Sequence, residues 1–427
     1  MSSTRANAPV AVAFIMNSMG ELHCLLPILA QAKRVEPSLR IIVVFKERKM
    51  PARLAEDSVY SAILAELGAQ LIPLRGLVRQ VLPERSRIRL IFKDFGSAPP
   101  GSLGPVLKHV SPNASLVLFP HAYAIHSTSE GPGVAYGRPR ADYDQELIDA
   151  TLLNTQLDVG TWSHRVPDRA IQVVGATGYT EWWRRILSRH AREQLKSVVE
   201  AAGGKKIVFL TTRGPHEAYL TVENYRYLVP LAVEAILARP DVVIMLKPHP
   251  REDVADLKAL LAGYPPDRVK VTALNTLALA SISNVNVSFW SSAVLDSIAA
   301  GTPTIEVYRF HKPNGQTVLD ADGNIASIYT TLGLSLRAHD RASLTEALEV
   351  ALSQRDELLA RQRAVLARCF PDNEAQLDTL GRVLRDLLRA STRRTSARST
   401  ALNMLKLARM SARDFVDAVR ERAGYGS

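Results

Sequence analysis

The chain has 427 residues, 47% of them hydrophobic and 22% charged, proportions that exclude collagen, coiled coil and wholesale disorder and leave room for two or three domains. Lys and Arg number 53 against 42 Asp and Glu, a net charge of +11 that favours anionic partners, yet only 6% of residues are aromatic and no basic stretch carries the stacking rings that single-stranded nucleic acid needs. Two distant cysteines, Cys24 and Cys369, exclude a disulfide scaffold, and no apolar run reaches the ~18–20 residues of a membrane span. The stretch before Met16 contains Pro9 and lacks a small-residue cleavage site, so it reads as a first strand and not a signal peptide. A cytoplasmic protein is expected.

Short apolar runs alternate with longer amphipathic segments, the rhythm of βαβ units on a parallel sheet. In the first half, strands are predicted over 10–16, 41–45, 70–73, 116–119, 158–161 and 171–174, and helices over 20–34, 51–67 and 142–153. Residues 78–112 are less regular, and the Gly, Pro and Ser of 97–105 predict a long loop or insertion. A charged helix over 182–202, closed by Gly203 and Gly204, opens a second series. Its strands are predicted over 207–211, 242–246, 269–272, 285–289 and 304–308, with helices over 227–238, 254–262 and 276–282 and one opened by Ser291-Ser292 that runs to 300. Residues 342–388 read as helical with a break at Pro371, finishing the second domain or crossing back onto the first. The expected fold class is therefore α/β, with two Rossmann-like domains whose parallel sheets face each other across a cleft, and a helical C-terminal tail. A first domain is expected over 1–180, a helical linker over 181–204, a second domain over 205–388, and a basic linker with an amphipathic helix over 389–427.

Open parallel sheets bind ligands beyond the carboxyl ends of their strands. Three such loops stand out in the second series. Thr211-Thr212-Arg213-Gly214 offers hydroxyls, a guanidinium and a Gly that admits a phosphate to the backbone. Lys247-Pro248-His249-Pro250 presents His249 beside a cation in a loop stiffened by prolines. Ser291-Ser292 opens a helix whose first amides and positive dipole end suit an anion, and Asp296, one turn on, is placed to accept from a ribose hydroxyl. Each also has a plain reading: an ordinary loop, a rigid turn, an N-cap, or an acid favoured at a helix start. All three follow strands of one sheet, so together they make a cradle for a diphosphate or a nucleoside monophosphate.

These same residues resemble the nucleotide half of the GT-B glycosyltransferases. The pattern of strand, Lys-Pro-His-Pro, strand, Ser-Ser and helix, followed by Gly301-Thr302-Pro303, is closest to bacterial capsule and surface-polysaccharide transferases of polysialyltransferase-like and Kdo-transferase-like type. CDP-glycerol glycerophosphotransferases of teichoic-acid synthesis have similar loops. The resemblance covers roughly residues 206–308. It implies that His249, Ser291 and Ser292 hold the phosphate of a CMP- or CDP-activated donor. Thr211-Thr212-Arg213 is similar in position to the phosphate loop of the non-hydrolysing UDP-N-acetylglucosamine 2-epimerases.

The first half resembles the family only in its βα rhythm and in Phe119-Pro120-His121, where Ala122 stands in place of a Gly. A base must deprotonate the acceptor hydroxyl, and His121, His126 and Glu130 are residues of suitable type. Glu21 and Gly175-Ala176-Thr177-Gly178 read better as a helix cap and a turn. Asp320-Ala321-Asp322 has the letters of a metal-binding Asp-x-Asp, but Asp322-Gly323 is the stronger signal and predicts a tight turn. No obligatory metal and no cofactor are expected. The tail carries Arg393, Arg394, Arg398, Lys406, Arg409, Arg413, Arg420 and Arg422 against three acids. Over 400–423 it forms a basic amphipathic helix, suited either to docking on its own protein or to a peripheral contact with an anionic membrane at its inner face. The favoured function is metal-independent transfer of a sugar, from a CMP-sugar by preference, to a hydroxyl of a surface polysaccharide or glycolipid. The alternatives are a 2-epimerase-like isomerase and a non-catalytic protein that binds a nucleotide-sugar or glycan.

Overall fold

The computed structural model describes residues 8–16, 19–45, 52, 54, 57–96, 98–111, 113–125, 142–216, 220–249, 252–313, 317–320, 322–371, 373–390 and 397–422. The chain divides into two compact units, one of Met1–Ala122, Gly137–Gly178 and Asn373–Ser427, the other of Tyr123–Tyr136 and Tyr179–Asp372.

The first unit runs β1 (Val10–Ile15), α1 (Met19–Val35), β2 (Arg40–Phe45), α2 (Ser58–Glu66), β3 (Gln70–Pro73), β4 (Ile88–Asp94), α3 (Leu103–Val110), β5 (Ser115–Phe119), β6 (Ile148–Leu153), α4 (Val159–Ser163) and β7 (Ile171–Val173). Among the described residues its sheet has the order β3-β2-β1-β4-β5-β6-β7, parallel throughout. Every residue of β1 is buried, as befits a central parallel strand covered on both faces.

Three expectations are corrected here. Residues 78–112 are not an insertion: they hold β4, which pairs with both β1 and β5, and α3. Arg89 and Lys93 interrupt the apolar run Ile88–Asp94 and hide the strand. Residues 148–153 form β6 and not the end of a helix, because Asp149 and Thr151 alternate with Ile148, Ala150 and Leu152 at a period of two. Residues 158–161 are not a strand: Thr155 Oγ1 accepts from Leu157 N (3.3 Å) and starts a short 3-10 turn that continues into α4.

Two bulges mark this sheet. Leu116 and Val117 of β5 face Ile148 and Ala150, leaving Asp149 as the extra residue, and its carboxylate takes the Leu116 N–H (2.8 Å) and the Lys108 ammonium. Val10 and Ala11 of β1 face Ile88 and Leu90, so Arg89 is the extra residue on β4.

The second unit continues with α5 (Glu181–Ala202), β8 (Lys206–Thr211), α6 (Val222–Leu237), β9 (Val242–Lys247), α7 (Val254–Leu261), β10 (Val269–Val271), α8 (Thr276–Ala280), β11 (Val285–Ser288), α9 (Ala293–Ala300) and β12 (Thr304–Val307). It ends with the hairpin β13 (Thr317–Leu319) and β14 (Ile325–Ser327), then α10 (Ile328–Leu332), β15 (Leu336–Ala338), α11 (Arg341–Ser353) and α12 (Arg355–Cys369). The main sheet is parallel, with the order β10-β9-β8-β11-β12-β15. One face packs Val208, Leu210, Ile244, Leu246, Val285 and Val287 under α6 and α11, while Ile207, Phe209, Val243 and Met245 look toward α8. The turn expected at Asp322-Gly323 is present. Asp320 Oδ1 accepts from Asp322 N (3.1 Å) and Asn324 N (2.8 Å), Oδ2 pairs with Arg337 (3.0 Å), and Gly323 takes a φ of 78°.

Helix α13 (Asn373–Arg389) belongs to the first unit and buries Leu377, Leu380, Leu384 and Leu387. Gln31 of α1 donates to the Leu377 carbonyl (3.3 Å) and Ser115 of β5 to that of Leu387 (3.0 Å). Helix α14 (Ala397–Arg422) docks on the same unit: Asn403 is buried with its Oδ1 accepting from Gly101 N (2.7 Å), and Met410 joins the core.

Candidate functional site

Strands β9, β8 and β11 are neighbours, so the loops that leave their carboxyl ends stand side by side. A single carboxylate ties two of them. Glu252 Oε2 accepts from Thr212 Oγ1 (2.9 Å) in the loop after β8 and from His249 N (2.9 Å) in the loop after β9. Its Oε1 accepts from Tyr225 OH (2.6 Å) on α6, and Glu252 N donates back to the His249 carbonyl (2.8 Å). Burial pushes the Glu252 pKa above the ordinary carboxylate value even though three donors favour the charged form, and burial together with Glu252 raises that of Tyr225. The third loop is tied by Arg213. Its Nη1 donates to the Trp290 carbonyl (3.0 Å) while the guanidinium lies 4.6 Å from the centre of the Trp290 ring.

Trp290 adopts φ = 43°, a left-handed conformation that is a genuine outlier for a bulky residue and costs of order 1–3 kcal/mol. The kink turns the chain from β11 into α9. Ser291 Oγ accepts from Ala293 N (3.3 Å), and the amides of Val294 and Leu295 bond the carbonyls of Ser291 and Ser292. The amides of Ser291 and Ser292 themselves have no acceptor among the described residues. They stand at the positive end of α9, the arrangement that receives an anion. At the ends of the two adjoining strands, Thr211 and Ser288 are paired in register, and both hydroxyls are buried without a partner among the described residues.

The structure thus brings Arg213 together with Ser291 and Ser292, and Thr212 with His249, on neighbouring loops of one sheet edge. It gives other residues different tasks. Lys247 Nζ donates to the carbonyls of Ala273 and Leu274, bracing the loop after β10. A Cβ on Gly214 would meet Glu252 Cα at 3.3 Å, so Gly214 lets its loop approach Glu252. Asp296, expected at a ribose hydroxyl, is buried and accepts from Tyr179 OH (3.0 Å), because α9 turns that side inward. Pro250 lies outside the described residues.

Neither protein-family models nor curated proteins provide a match to this chain. Solved structures do. S. aureus MnaA with UDP aligns at a TM-score of 0.54 and 11% identity over 91% of this chain and 100% of that one. Medicago truncatula UGT71G1 with UDP-glucose aligns at 0.53 and 12% over 91% and 100%. The wall teichoic acid polymerase TagF with CDPG aligns at 0.54 and 10% over 89% and 88%. The chain shares its fold, of the GT-B type, with these structures.

Among the described residues, the first unit offers fewer groups at the carboxyl edge of its sheet. His121 follows β5 and is exposed. His126 and Glu130 lie outside the described residues. Glu21 is fully buried and accepts from Met16 N (2.8 Å), holding the end of β1 to the start of α1. Sequence reasoning missed Asp94, a buried carboxylate that ends β4 beside β5 and pairs with Lys93 (3.1 Å). It also missed Glu252 and Trp290 in the second unit. A strand-end acid and a Trp-Ser-Ser run were visible, but their partners were not.

Proposed function

We propose that the chain is a glycosyltransferase that moves a sugar from a nucleotide-activated donor, a CMP-sugar by preference, to a hydroxyl of a surface polysaccharide or glycolipid. The observation that carries this is the amide pair of Ser291 and Ser292, without an acceptor among the described residues, at the positive end of α9, beside Arg213 and next to the His249 loop. In the proposed reaction these groups take the charge that develops on the leaving phosphate. A base, His121, His126 or Glu130, removes the acceptor proton as its oxygen attacks the anomeric carbon. Thr212, Gly214, Lys247 and Asp296 act by positioning the loops. The preference for CMP rests on the Lys-Pro-His-Pro and Ser-Ser pattern, and no metal takes part. Among the described residues no helix is long and apolar enough to cross a membrane. Leu402, Met404 and Leu405 are exposed on α14 beside Lys406 and Arg409, which supports a peripheral contact with an anionic membrane through residues 400–423.

The test incubates the chain with CMP-, CDP- and UDP-activated sugars, with and without acceptor glycans, and measures nucleotide release. Acceptor-dependent release that EDTA leaves unchanged is expected. Arg213→Ala and His249→Ala should each weaken donor binding about tenfold or more, as expected for lost charge-assisted contacts to phosphate. Unchanged donor affinity in both variants would place the cradle elsewhere. Isomerised donor without acceptor would mark an epimerase, and bound donor that never turns over a binding protein.

A further inference from the structure

The amino end of the first sheet carries an arrangement that sugar transfer does not use. A cavity of about 490 Å³ opens there, lined by Arg87, Arg89, Arg385, Arg389, Glu36 and Leu388 among others. Arg89 is the extra residue of the β4 bulge, a device that re-aims a side chain. The sheet's other bulge residue, Asp149, has the Lys108 ammonium and the Leu116 amide as partners. Arg89 differs: its Nη1 is sealed from solvent and has no hydrogen-bond partner among the described residues. A buried guanidinium nitrogen left in that state is costly.

The surrounding charge does not cancel it. Arg87 is paired with Glu84, and the Glu36 Oε1 accepts from Ser38 N and Oγ. Arg385 and Arg389 stand one turn apart on α13 and form no ion pair among the described residues. The carbonyl ends of α1 and α13 also meet here, each worth about half a negative charge. With Arg87 set against Glu84, the three guanidinia of Arg89, Arg385 and Arg389 still exceed Glu36 and the two helix ends together. Guanidinium groups match phosphate oxygens in paired hydrogen bonds.

We infer that this cavity, at the amino ends of β1 and β4, is a second anion site that binds a phosphate-bearing ligand through Arg89, Arg385 and Arg389. The seven residues of β4, roughly 20 Å of strand, separate it from Asp94 at the opposite edge. The inference is independent of the proposed transferase activity.

Pyrophosphate titrated calorimetrically into the full chain at low ionic strength is the first probe. Arg89→Gln should weaken binding at least tenfold, and so should the surface variant Arg385→Ala with Arg389→Ala, which leaves the core untouched. Arg213→Ala should leave this binding event within twofold. Vesicles of phosphatidylglycerol distinguish the source of the phosphate. Sedimentation with vesicles that Arg89→Gln abolishes indicates a lipid headgroup, and pyrophosphate binding without such sedimentation indicates a soluble ligand. Wild-type pyrophosphate affinity in both cavity variants, with or without a lowered melting temperature, would overturn the site and leave the arginines as partners of the two helix ends.

Discussion

Removing the Glu252 carboxylate takes away the acceptor that Thr212 Oγ1, Tyr225 OH and His249 N share. Glu252→Ala should therefore cost about 3 kcal/mol in stability and weaken donor binding with it. Glu252→Gln should lose less than half of that, since the Tyr225 hydroxyl can turn and accept from the new amide. Denaturant melts of both variants decide the point, and an Ala variant as stable as wild type would show that the three donors find other partners. A second carboxyl group behaves differently. Glu306, on β12, is wholly buried beside Ser335 Oγ (3.1 Å), and burial lifts its pKa from 4.5 to about 8. Between those values the folded chain holds a proton that the unfolded chain has released. Its stabilising contribution is therefore complete below pH 4.5 and is lost as the pH climbs through 8, by a few kcal/mol in all. Glu306→Gln removes the titration, so its melting temperature should exceed that of wild type at pH 8 and converge with it near pH 4.5. Parallel melting curves from pH 4.5 to 8.5 would show that this group is charged throughout.

Among the elements, those whose apolar run is unbroken could be read directly from the chain. Strands β1, β8 and β9 are buried for most of their length, and each lies within a residue of its expected bounds. Charged residues near the strand ends concealed β4, and the polar Asp149 and Thr151 broke the apolar run of β6, so that it read as the end of a helix. The candidate cradle was legible to the extent that it depends on strand ends: Arg213, His249 and Ser291 all follow strands that are adjacent in the sheet. Its internal bracing was not. Tyr225 and Glu252 are 27 residues apart and Arg213 and Trp290 77, distances at which a one-dimensional pattern carries no pairing information. The same holds for the left-handed Trp290, since φ follows from the turn into α9 and not from the residue type.

At the scale of the whole molecule, the first unit is assembled from three stretches of chain. Helix α13 covers α1 and is pinned by Gln31 and Ser115. Gly175, with φ = 70°, admits the Gln376 side chain where a Cβ would come within 2.7 Å. A chain cut after residue 372 should therefore lose the calorimetric transition of the first unit and keep that of the second. Retention of both transitions would show that α13 and α14 are dispensable.

The discontinuity also sets an order of events on the ribosome. Strands β1 to β7 leave the exit tunnel long before α13, so their sheet must wait, with the face that Leu380 and Leu384 will cover still open. The second unit, contiguous for nearly all its length, can close in that interval. Chaperone dependence during translation accordingly falls on the half made first.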